Sequence, residues 1–135
     1  MLYTSKQFWN KLDRITRKPQ TDKLTKAFVA LLKEAYENDL TFIALCKPLP
    51  DGDAEQLLYK GFGKTDAMIY FTSLTHAAKQ LRLTPGYERY EMFVRASIDY
   101  IISAPDISAL IFNPVTENEY VIPKDILTFA NPSTC

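Results

Sequence analysis

A chain of 135 residues, 47% of them hydrophobic, is long enough for one domain with a core of its own and too short for two of ordinary size. Sixteen basic residues balance sixteen acidic ones, so no net field draws the chain to nucleic acid or to an anionic membrane. The two cysteines, Cys46 and Cys135, do not make the paired framework of a small secreted domain, and free thiols in a reducing compartment are expected.

From the N-terminus, residues 5–17 place Phe8, Leu12 and Ile15 at i, i+4 and i+7 with Trp9 beside them, which predicts an amphipathic helix closed by Pro19. The start MLYTSKQFWNK lacks an apolar stretch with a cleavage site, and no run approaches the roughly 18 apolar residues of a membrane span; a cytoplasmic chain is expected. Thr21 or Asp22 caps a second helix, whose Leu24, Ala27, Phe28, Leu31, Leu32 and Ala35 trace one apolar stripe. Residues 1–38 hold eight basic and four acidic groups, but Lys6, Lys11, Arg14, Arg17, Lys18, Lys23, Lys26 and Lys33 are spread over both helices, so a nucleic-acid role is only an alternative.

After Asn38 the period changes. Residues 41–46 read as a buried strand, 47–54 as a Pro, Asp and Gly loop, and 56–72 as a hairpin around a polar turn at 61–66. Ser73 caps a helix carrying Leu74, Ala77, Ala78 and Leu81, which 84–86 ends. A strand at 91–94 and a helix at about 96–103 follow, with Ile98, Ile101 and Ile102 turned inward and Pro105 closing. Residues 107–112 form an apolar strand broken by Asn113-Pro114, 119–122 resume it, and Pro123 is placed to open a helix.

Three stretches together, YFTSLTHAAK at 70–79, EMFVRASIDYIIS at 91–103 and ALIFNPVTENEYVIPKDIL at 109–127, resemble the SseB N-terminal domain family of bacteria over residues 21–129. Their specific parts are the step Phe71-Thr72-Ser73 and the strand ending in Asn113-Pro114. The chain departs from the family in lacking a glycine between Pro114 and Tyr120, and in its helix before Pro19. The resemblance implies an α+β domain at 21–135, with a mixed, mostly antiparallel sheet of about five to six strands packed with helices, and an additional helical segment at 1–20. It implies a poorly defined role and brings no catalytic residues; a toxin-immunity or regulatory system is one association open to such a module.

The chemistry-bearing residues give little to a reaction. Gly63-Lys64-Thr65 resembles the end of a phosphate-binding loop, but position 58 is Leu58 where a glycine is needed, so a hairpin turn is the better reading. His76 is the single histidine; Ser73 three residues before it is explained as a cap, and Cys46 with a surface His76 is read as structural. Asp51, Asp53 and Glu55 form a solvated turn, and Asp106, Glu117 and Glu119 have no pairing in sequence. No catalytic residue, metal or cofactor is expected. Aromatic residues remain: Tyr87 and Tyr90 around Glu88-Arg89 either cover the sheet edge or face a protein partner, Phe8 and Trp9 on the first helix dock on their own domain or on a second copy, and these four are the candidate binding residues. A non-catalytic interaction or regulatory module is the leading reading. The alternatives are a small-molecule sensor or enzyme with a pocket near His76, and a nucleic-acid accessory acting through the basic helices.

Overall fold

The computed structural model describes residues 4–62 and 65–130. Helix α1 (Ser5–Thr16) opens on a capping box: the Thr4 hydroxyl accepts from the Gln7 amide at 3.1 Å while Gln7 Oε1 accepts from the Thr4 amide. One turn apart, Phe8 and Leu12 are fully buried, and Trp9 Nε1 donates to the Thr41 carbonyl at 2.7 Å. The segment before residue 20 therefore shares the main core with the rest of the chain. In α2 (Asp22–Glu37) the Thr21 hydroxyl accepts from Leu24 N, and Phe28, Leu32 and Ala35 reach the core while Ala27 stays exposed.

Among the described residues, seven strands form two sheets. The first has the order β2-β1-β5, with β1 (Thr41–Pro48) between β2 (Ala54–Gln56) and β5 (Glu88–Phe93), all antiparallel. The second contains β3 (Leu58–Phe62), β4 (Thr65–Tyr70), β6 (Ile107–Phe112) and β7 (Tyr120–Pro123), in the order β3-β4-β6-β7. Among the described strands only β4 and β6 run parallel, with α3 (Leu74–Leu83), β5 and α4 (Val94–Ser103) between them in the chain as the crossover. The α+β class and mostly antiparallel pairing agree with the sequence reading. The strand count is higher because the strand expected at 56–60 divides at Leu57, whose amide still donates to Leu45 O at 2.9 Å before the chain enters the second sheet. The sheets meet where Phe71 N donates to Ile43 O.

Alternation along β1 explains its continuous apolar run. Phe42 and Ala44 face the main core, whereas Ile43 and Leu45 face a second cluster with Ile69, Phe71 and Ala77 of α3. In the main core, rings link the elements in series: Phe8 to Phe42, Phe42 to Tyr70 and Phe112, and Phe112 to Phe28, which stacks on Tyr120. The helix expected after Pro123 is a single 3₁₀ turn, Lys124–Ile126, because Leu127 bonds back to Lys124 O and turns into the core. Val115, inside the stretch where the SseB family would place a glycine, has φ 59°, a left-handed conformation that is costly for a β-branched residue.

Candidate functional site

The four candidate binding residues go to different places. Phe8 is fully buried against Phe42 and is closed to any partner, a correction that follows from its place in the apolar stripe of α1. Trp9 is half-buried between both clusters with its indole N–H committed to Thr41, so it docks on its own domain. Tyr87 precedes β5 and packs against the second cluster. Tyr90 lies within β5, opposite Ala44, and lines a cleft between the two sheets.

That cleft has a volume of about 680 Å³. Leu58, Met68 and Met92 give it apolar walls, Tyr90, Phe93 and Tyr100 add aromatic rings, and Ala96 and Ser97 of α4 close one side. Two of its rings stand out at the mouth, Phe93 59% and Tyr100 54% exposed. Below the walls, three buried polar groups lie together, the Tyr70 hydroxyl having Ser97 and Gln56 as its hydrogen-bonding neighbours. Burial pushes the Tyr70 pKa up to about 12, and nearby Ser97 and Gln56 hold it down only in part. Gln56 Nε2 is already used, donating to Ile69 O at 3.2 Å. A signal for the site is in the sequence: Ser97 interrupts the inward stripe Val94, Ser97, Ile98, Ile101 of α4.

A second, polar cavity of about 730 Å³ lies at the start of α3, lined by Asp13, Arg17, Ser73, Thr75, His76, Glu117 and others. Asp13 is buried and accepts from Thr72 Oγ1 at 2.7 Å and from Arg17 Nε at 3.1 Å. His76, expected on the surface, has only 15% of its side chain exposed, with Nε2 3.6 Å from Asp13 Oδ1 and Nδ1 buried and unpartnered. Ser73 Oγ accepts from the His76 amide, as a helix cap does. Burial pushes the imidazole pKa below its usual value, against the pull of Asp13 and with the help of Lys79 and Arg17. As pH falls, the unfolded chain therefore takes up this proton first, since its histidine keeps a value near 6.5. Stability is whole above about pH 6.5 and declines below it, by less than ~1.4 kcal/mol per pH unit from this group. Urea midpoints between about pH 7.5 and 5.5 check this: wild type should lose more than His76→Gln, and equal losses would contradict it.

The remaining chemistry-bearing residues have structural employment. Cys46 is buried and burial pushes its thiol pKa up, the wrong direction for a nucleophile. Asp51 Oδ1 accepts from the Asp53 amide within the turn, and Glu119 Oε1 accepts from Val115 N. Gly63 and Lys64 of the phosphate-loop fragment, and Cys135, lie outside the described residues. Among the described residues no group of three His, Cys, Asp or Glu could hold a metal ion, and no helix is long and apolar enough to cross a membrane. Comparison with protein-family models, curated proteins and solved structures finds no match to this chain.

Proposed function

We propose that this chain is a non-catalytic binding and regulatory module, similar in kind to SseB N-terminal domains, that takes a small apolar molecule in the cleft between its sheets. The cleft itself carries the reading: about 680 Å³ of mainly apolar space, within the roughly 300–1,000 Å³ range of small-molecule sites, with the buried Ser97 hydroxyl on its wall. Phe93 and Tyr100 at the mouth make the surface seen by a protein partner, or by a second copy, depend on what fills the cleft. The two motifs behind the SseB likeness are hydrogen-bonded to each other, Thr72 N donating to Asn113 Oδ1 and Asn113 Nδ2 to Thr72 Oγ1, which gives them a scaffolding role outside the cleft.

Titration with Nile red, a neutral apolar dye, tests the reading against Ala96→Trp. Ala96 is exposed and sits on the cleft wall, so an indole there blocks the opening without entering the core. Wild type should show a saturable rise in fluorescence, weakened roughly tenfold in the variant. No rise in wild type, or the same rise in both, overturns the proposal.

A further inference from the structure

Independently of what fills the cleft, we infer that β5 is the edge on which this chain pairs with a second copy of itself, the two β5 strands running antiparallel about a two-fold axis at Tyr90. The sheets end on β2 and β5, and on β3 and β7, and all of these edges but β5 are closed. β2 is only three residues long. β3 changes register between Tyr59 and Phe62, where Gly61 has φ 74°. Along β7 the Gln20 side chain takes the place of a neighbouring strand, its amide donating to Val121 O at 2.8 Å and its oxygen accepting from Val121 N at 3.1 Å. Short strands, bulges and covering groups are the devices that keep an edge from pairing. Among the described residues β5 has none of them: it holds one register with β1 from Glu88 to Phe93.

The backbone of β5 is turned to meet such a copy. On β1 the carbonyls of Ile43 and Leu45 accept from Phe71 N and Leu57 N on the far side, so β1 bonds β5 through the alternate positions Phe42, Ala44 and Cys46, whose partners are Met92, Tyr90 and Glu88. The N–H and C=O groups of Arg89 and Glu91 therefore point outward, away from β1. Both residues are exposed, on the sheet face opposite Tyr90 and Met92. Charged side chains can guard an edge, and here they select the register instead. A two-fold at Arg89 or at Glu91 sets that residue against its own like charge, whereas a two-fold at Tyr90 sets Arg89 of each copy opposite Glu91 of the other. Arg89 has no ion pair of its own among the described residues, and the Thr41 hydroxyl holds Glu91 in place by donating to its Oε1 at 2.8 Å. In the same register the outward backbone groups of Arg89 and Glu91 bond in pairs across the axis, and Tyr90 meets Tyr90 of the second copy on the cleft side.

Sedimentation equilibrium of the full chain at about 100 μM, where a dimer of micromolar affinity is mostly assembled, should give a monomer–dimer mixture dominated by the dimer. Arg89→Glu and Glu91→Arg, each tested alone, should weaken the dimer roughly tenfold or more, because each sets like charges against one another on both sides of the axis. Mixed in equal amounts, the two variants should associate again about as tightly as wild type, since every Arg–Glu pair is restored between unlike chains. Recovery in the mixture also shows that neither substitution acts by unfolding the chain. A wild type that stays monomeric at that concentration leaves the edge to an extended peptide of another protein and overturns the second copy as its partner. Variants that dimerise as wild type does, or a mixture no tighter than its components, overturn the register and with it the inference. The cleft stands or falls separately, by the dye titration.

Discussion

Phe112→Ala is expected to lower the free energy of unfolding by about 3–5 kcal/mol, the range for losing a buried phenylalanine and leaving a cavity. The upper part of that range is the expectation here, because the ring meets three others: Phe28 edge-on at 4.8 Å, Phe42 edge-on at 5.7 Å and Tyr70 at 5.7 Å. These rings come from α2, β1 and β4, so a collapse that fills the space would have to move three elements at once. Against a total stability of roughly 5–15 kcal/mol, such a loss unfolds a large fraction of molecules in mild urea. Equilibrium urea curves followed by circular dichroism measure it, and a loss below about 2 kcal/mol would show that the site relaxes and the ring series is not a structural unit.

Asn113→Ala should cost about 3–4 kcal/mol through a different mechanism. The Asn113 side chain is fully buried and accepts from Thr72 N at 3.0 Å while donating to Thr72 Oγ1 at 2.9 Å and Asn118 O at 3.3 Å. Thr72 passes the chain on, donating its own hydroxyl proton to Asp13. Alanine leaves the buried Thr72 amide without an acceptor and adopts φ 55° less readily than asparagine does. Asn113→Gly separates the two effects, since glycine accepts the backbone angle and still lacks the amide; it should recover about 1 kcal/mol of the loss. Urea midpoints for both variants give the comparison, and an alanine variant within about 1 kcal/mol of wild type would contradict the role assigned to this network.

How much of this was legible depended on whether the signal was local. The stripes of α1 and α2, the Ser73 cap and the apolar run of β6 each stand on contiguous residues, and each element forms where its periodicity places it. The split into two sheets turns on where Leu57 finds its partner, Leu45 on β1, and no local pattern states that. The cleft is harder still, because β2, β3, β4, β5 and α4 each supply only a few of its residues. Tyr90 was visible as an aromatic residue in search of a role, but strand alternation, which sends it to the cleft beside Met92 and away from Tyr87, appears only once β5 has a register. Phe8 misled for a related reason: an aromatic on a helical stripe reads equally well as core or as contact surface until the facing Phe42 is in place. Asp13 carried a faint signal, an acidic residue within the buried face of α1 between Leu12 and Thr16.

The most direct measurement of the central claim uses methionine. The chain has three, and Met68 and Met92 both line the cleft. Protein labelled with ¹³C at the methionine methyl groups, assigned with Met68→Leu and Met92→Leu, is titrated with 2-phenylethanol, a small neutral and largely apolar probe, and followed by NMR. A cleft that is the binding site predicts that the Met68 and Met92 signals shift together and saturate at one ligand per chain with a common dissociation constant. Both signals unmoved at saturating ligand would place binding elsewhere, or nowhere, and contradict the account.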